Sequence, residues 1–155
     1  MATAKNEKQI IGRIDKVDFP ELGIFNIDAK VDSGAFTSAI HCSKIKLIEG
    51  SEVPRVQFIF YDDEKNRLHE MQVFSRKKVK SSFGAVQDRI TVLTNIRLFG
   101  KMFDIELALT DRSSMKFPVL LGRKILTDNF LVDVNHTNLS FKSKIKSANK
   151  KKKKK

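Results

Sequence analysis

Residues 90–110 read ITVLTNIRLFGKMFDIELALT, two runs in which β-branched and aromatic residues alternate with polar ones at a period near two, joined through Gly100-Lys101. Such alternation puts apolar side chains on one face of a strand. A glycine-bearing tight turn between two such runs folds them into a long hairpin. The same signature recurs in VQFIFY (56–61), and further strands are expected at 10–18, 26–31, 68–75, 118–121 and 130–134, with NLSF (138–141) closing the domain. GRKILTDNF (122–130) is the short-helix candidate, because Ile125 and Leu126 turn inward while Arg123, Lys124 and Asp128 stay wet. Many short strands with turn signals between them define an all-β chain, built as a small barrel or sandwich.

A length of 155 residues with 41% apolar content fits one domain with a modest core. The net charge of +12 invites a nucleic-acid reading, but residues 141–155 hold nine Lys and no acid, so residues 1–140 carry only +3. No base-reading motif accompanies the lysines. A terminal run of six Lys repels itself and buries nothing, so residues 143–155 are expected to be a disordered basic tail behind a domain spanning 1–142, with non-specific polyanion contact as its only binding role. Cys42 is the only cysteine, which excludes an intrachain disulfide, and MATAKNEKQIIGRID lacks the apolar core of a signal peptide. A cytoplasmic location and no membrane span are the expectations.

The chemistry concentrates in AKVDSGAFTSAIHC (29–42). A strand delivers Asp32 to a turn, Gly34 lets the backbone come close enough to donate an N–H to the carboxylate, and the Ser33 hydroxyl can lock neighbouring turns. An Asp before Ser-Gly is ordinarily a turn or cap residue. Two such acids sharing a proton, however, have pKa values pushed apart and serve as general base and general acid together. With no second Asp-Ser/Thr-Gly in the chain, a partner copy across a two-fold axis has to supply the second Asp32.

These residues resemble the active-site turn of retropepsin-like aspartic peptidases, in particular the bacterial and archaeal branch often labelled "ATP-dependent zinc protease". The resemblance extends through FPELGI (19–24), SSFGAVQDR (81–89), ELALTDRSSMKFPVLLGRKIL (106–126) and FLVDV (130–134), in order over about 120 residues. It implies a closed barrel of six or more strands with one short C-terminal helix. Asp32 would be the catalytic acid, with Ser33, Gly34 and Ala35 building its turn. Leu121, Gly122 and Arg123 would support it from the strand VLLG (119–122), which threads beneath the acid.

The implied activity is peptide hydrolysis by a homodimer whose paired acids activate a water, with no cofactor and no metal. A flap is expected over the substrate at residues 76–88, within the basic, Ser-rich, glycine-broken segment 75–89 read as a mobile hairpin or loop, and Arg76, Lys80, Ser82, Gly84 and Arg89 are the flap or substrate-contact candidates. Relatives of this branch are often associated with ATP-grasp glutamate ligases, which implies trimming of acidic, glutamate-tailed peptides or proteins. Two other readings stand beside the peptidase: a catalytically silent domain that partners such a ligase, and a polyanion-binding module driven by the Lys tail.

The chain departs from the family pattern at two places. Ser33 replaces the commoner Thr, and Phe36 stands where viral relatives carry an acid that pairs with the arginine after the apolar-Gly motif. Asp28, Asp111 and Asp133 are therefore the alternatives for a partner of Arg123. Arg112 and Arg123 are read as loop-fixing arginines, His41, His69 and His136 as structural, and Cys42 as a small buried hydrophobe. HEMQV (69–73) lacks the second His of a zinc-protease helix, adjacent His41 and Cys42 point to opposite strand faces, and no glycine-rich phosphate loop is present.

Overall fold

The computed structural model describes residues 7–50, 52–61, 63–80, 83–111 and 116–153. In chain order its strands are β1 (Gln9–Ile11), β2 (Ile14–Phe19), β3 (Ile24–Val31), β4 (Ser38–Ile48), β5 (Arg55–Phe60), β6 (Leu68–Gln72), β7 (Ser75–Lys80), β8 (Val86–Leu98), β9 (Lys101–Thr110), β10 (Val119–Leu121) and β11 (Phe130–Val132). Two helices follow β10 and β11 respectively, α1 (Arg123–Leu126) and α2 (Leu139–Lys153).

The long hairpin is β8 and β9, paired from Thr91↔Ala108 to Leu98↔Lys101. Ile90, Val92, Ile96 and Leu98 on one strand, with Ile105 and Leu107 on the other, put their alternate side chains into the core. Its turn is Phe99-Gly100, both with left-handed φ (53° and 72°), and Lys101 already belongs to β9. This two-residue geometry matches the right-handed twist of the flanking strands. Phe99 tolerates it because its ring packs near Phe130 and its N–H donates to Ser140 Oγ (2.8 Å).

Around the hairpin the strands run β10-β3-β2-β8-β9-β4, and β10 also pairs with β4, closing a six-stranded barrel. β5 and β6 extend the sheet from β4, β7 adds to β8, and β1 with β11 forms a small parallel pair. The closed all-β barrel agrees with the sequence reading.

Several boundaries differ from expectation for identifiable reasons. The strand expected at 10–18 breaks at Gly12, where a Cβ would overlap the carbonyl oxygen of His136. β4 carries no strand expectation, although Ile40 and Cys42 are buried on it, because its alternation is interrupted by a register shift between Ser43 and Lys46 and by Lys44 at φ 52°. The basic segment 75–89 is a hairpin, β7 against β8. Cys42 is fully buried; burial first and the charge of Asp111 second push its thiol well above the usual range.

The C-terminal reading needs correction. Residues 138–141 form no strand, and residues 139–153 form α2, while residues 154–155 of the expected 143–155 tail lie outside the described residues. Fully buried Asp15 explains this, since its carboxylate accepts the N–H groups of Ser140 (2.9 Å) and Phe141 (3.1 Å), partners that the first turn of a helix otherwise lacks. Burial raises the Asp15 pKa, and these backbone donors oppose it. Lys144 then seals the helix to the barrel through buried Asp18 (2.8 Å) and the Asn26 side chain (2.6 Å). Replacing Asp15 with Ala is expected to reduce helical ellipticity and to lower stability by about 1–2 kcal/mol, the cost of losing a helix cap, as measured by denaturant unfolding.

Candidate active site

β3 and β4 are the two arms of the loop that holds the Asp-Ser-Gly turn, and β10 passes between them. It runs parallel to β3 (Val119↔Ala29 to Leu121↔Val31) and antiparallel to β4 (Val119↔Ile40, Leu120↔Ala39). The backbone N–H of Asp32 donates to the Leu121 carbonyl (2.9 Å), so the acid is tied to the threading strand at its last residue. Its Oδ1 accepts the Gly34 N–H (2.9 Å), and its carbonyl accepts the Ala35 N–H (3.2 Å). The carboxylate is thus oriented by its own turn while the residue stays half-exposed.

Gly122 makes the crossing possible. A Cβ there would sit 2.9 Å from the Ala35 carbonyl oxygen and 3.0 Å from that of Phe36, inside van der Waals contact. Beyond this contact the chain enters α1 with its first N–H groups satisfied by the loop: Gly122 donates to Ser38 Oγ (2.9 Å), Arg123 to the Ala35 carbonyl (2.8 Å) and Lys124 to that of Phe36 (3.0 Å). The Ser38 hydroxyl locks the crossing.

Arg123 resolves the question of its partner in an unexpected way. Its Nη1 donates to the Ser33 carbonyl (3.0 Å), and its guanidinium lies over the Phe36 ring, 5.6 Å from the centroid. Lys124 Nζ sits over the same ring at 4.8 Å. Phe36 thereby offers two cations its π face where viral relatives offer a carboxylate. Among the described residues Arg123 has no carboxylate partner: Asp28 pairs with Lys16 (2.7 Å), Asp133 lies 3.5 Å from His136, and Asp111 does not reach it. Arg112 lies outside the described residues.

Asp32 borders a cavity of about 420 Å³ whose other charged lining residues are Lys77, Arg89, Glu106 and Lys124. Of the described flap candidates, only Arg89 lines it. Arg76 is engaged elsewhere, with Asp88 (3.2 Å) and Glu49 (3.3 Å). Lys80 and Gly84 are exposed farther along the hairpin, and Ser82 lies outside the described residues. Sequence reasoning did not single out Lys77, Glu106 or Lys124 as cavity residues. The period-two pattern of β7 and β9 would have placed each on a face, but not that face on the cavity.

Burial raises the carboxyl of Glu106, but a 2.6 Å hydrogen bond from Lys124 and the charges of Lys124 and Lys77 outweigh it, holding the group below its ordinary 4.5. His41 is buried and stacked on Tyr61 (4.2 Å), and His69 stacks on Phe58 (5.5 Å). Among the described residues no three His, Cys, Asp or Glu side chains gather as a metal-binding group.

A six-stranded barrel closed around an Asp-Ser-Gly turn, with an apolar-Gly strand threaded through it, has the acid-protease-type fold. Comparison with known proteins supplies the family. The model described as "Retropepsin-like aspartic endopeptidase RimB" matches residues 10–143, and the chain belongs to this RimB-like family.

The chain is also similar to proteins named "Probable alpha-L-glutamate ligase". It is 37% identical over 132 residues to that of Shewanella halifaxensis, covering 83% of this chain and 29% of the relative. The Desulfotalea psychrophila protein of the same name is 36% identical over 130 residues, with 81% and 28% covered. The chain therefore spans less than a third of the length of these relatives. Among solved structures, a Legionella pneumophila protein of unknown function superposes with a TM-score of 0.72 at 27% identity, covering 86% of this chain and 99% of that one.

Two outcomes follow from the geometry. Gly122→Ala is expected to push the 35–37 backbone away from β10 and to destabilise the fold by about 1–3 kcal/mol, read from the shift in denaturation midpoint. The Glu106–Lys124 pair stabilises the fold above the ordinary carboxylate pKa, and this contribution is lost as pH falls through the depressed folded-state value. Glu106→Gln should accordingly be less stable than wild type by about 1 kcal/mol at neutral pH, with the gap closing as pH falls through the depressed folded-state value in a pH series of thermal unfolding.

Proposed function

We propose that the protein is an aspartic endopeptidase acting as a homodimer, in which two Asp32 carboxylates meet across a two-fold axis and share one proton. One acid takes a proton from the water that attacks the peptide carbonyl while the other gives its proton to the carbonyl oxygen, and the leaving nitrogen is protonated as the C–N bond breaks, so cleavage proceeds without a covalent intermediate. The observation that carries this reading is the pose of Asp32: half-exposed at a cavity, held by Gly34 and by the Leu121 carbonyl, in a turn that the threading strand keeps rigid. Ser33, Gly34 and Ala35 form the turn in this proposal, and Leu121, Gly122 and Arg123 are its structural support. The hairpin of β7 and β8 takes the place of the flap.

Acidic, glutamate-tailed peptides are the proposed substrates, a choice supported by the cations lining the cavity and by the names of the ligase relatives. The cytoplasm is the proposed location, supported by a lone, buried cysteine. Among the described residues no helix is long and apolar enough to cross a membrane.

Asp32→Asn keeps the shape of the side chain and an oxygen for the Gly34 N–H, and it is expected to fold normally and to abolish turnover of a glutamate-tailed peptide panel. A chelator should leave wild-type turnover unchanged. Solution mass should report a dimer at the concentrations where cleavage occurs. A second reading is favoured by the match to a segment of longer proteins named ligases: a silent domain that docks on an ATP-grasp ligase. It predicts the reverse, a monomer whose function survives Asp32→Asn.

A further inference from the structure

On the β7–β8 hairpin Lys77 and Arg89 are directly opposite one another, and both line the Asp32 cavity. The opposed pair next to them, Ser75 and Thr91, lines it too, so this face of the hairpin looks into the cavity. Like charges directly opposite on an antiparallel pair repel, a cost that a neighbouring acid normally offsets. Three nearby acids are already engaged, although the charge of Lys77 still acts on Glu106. Glu106 is held by Lys124 at 2.6 Å. Asp88, the chain neighbour of Arg89, points to the other face and pairs with Arg76. Asp32 is oriented by the Gly34 N–H. Among the described residues neither Lys77 nor Arg89 has an ion-pair partner. Arg89 also borders a second cavity of about 530 Å³ with Asp88 and Asp111.

We infer that Lys77 and Arg89 form a carboxylate-binding subsite that seats an acidic group of the peptide beside the Asp32 carboxylates. A carboxylate between the two cations relieves their repulsion and accepts charge-assisted hydrogen bonds from the planar guanidinium and the ammonium together. A glutamate side chain and the α-carboxylate of a peptide end both carry this chemistry. As a statement about cleavage the inference rests on the peptidase reading; as a statement about binding it does not.

The test uses one glutamate-tailed peptide, its Gln counterpart and its C-terminally amidated form, with Lys77→Gln, Arg89→Gln and the double variant. Each single variant is expected to lower kcat/KM for the acidic peptide by about 10- to 100-fold and to lower that for the Gln peptide by a clearly smaller factor. The unfolding temperature should stay constant or rise, because a repulsion is removed; a merely structural pair would lower it. Loss of the wild-type preference with Gln assigns the side-chain carboxylate, and loss with the amide assigns the chain end.

Binding of the same peptides to the Asp32→Asn protein, by calorimetry, is the second arm and should weaken equally when Lys77 and Arg89 are replaced. Cleavage that ignores the charge of the peptide overturns the subsite and leaves the peptidase standing. Charge-selective binding through Lys77 and Arg89 without any turnover overturns the peptidase and leaves the subsite standing. Neither binding nor cleavage, or variants that affect acidic and neutral peptides alike, overturns the inference.

Discussion

The passage of β10 between β3 and β4 is the constraint on which the rest depends. A strand inserted between the two arms of one loop has to satisfy backbone groups on both sides, and Val119–Leu121 does so by pairing parallel with β3 and antiparallel with β4. The same insertion closes the barrel and removes a sheet edge. It also leaves no room at the exit, where Gly122 abuts the carbonyls of Ala35 and Phe36. The turn bearing Asp32 is therefore not a surface turn with freedom to drift: its backbone is held by Leu121 beneath and by the first residues of α1 alongside. Rigidity here is a consequence of barrel closure, so the stability of the fold and the orientation of the acid are not separable properties.

That linkage explains which parts were readable in the sequence. The hairpin of β8 and β9 announces itself by uninterrupted alternation, and the Asp-Ser-Gly and Val-Leu-Leu-Gly blocks announce themselves by composition. β4 did not, because its alternation shifts register between Ser43 and Lys46. The C-terminal helix was hidden for a different reason. Residues 142–153 are rich in lysine and have little apolar surface to bury, which alone argues for a solvated tail. What orders the segment lies more than a hundred residues away, in the buried carboxylates of Asp15 and Asp18. A long-range cap and a long-range ion pair leave no local pattern. The partner of Arg123 was equally illegible, since the answer is a main-chain carbonyl and an aromatic face, neither of which a search for acids can find.

Charge in this molecule is sorted by strand face, and the sorting gives the basic segment its meaning. Arg76, Lys77 and Lys78 read as one patch in sequence, yet successive side chains on a strand point to opposite sides. Arg76 turns to Asp88 and Glu49, and Lys78 lies opposite Asp88, so that face is balanced by acids. Lys77 turns the other way with Arg89, toward the cavity. The surplus of the hairpin is therefore not spread over its surface as a general attraction for polyanions. Salt screening weakens exposed charges more than those flanked by low-dielectric walls, which makes the cavity the place where this surplus acts most strongly on a ligand. Lys124 completes the division of labour: by occupying Glu106 it engages the acid that shares the cavity wall with Asp32, and by resting on Phe36 it does so without leaving the loop that holds Asp32.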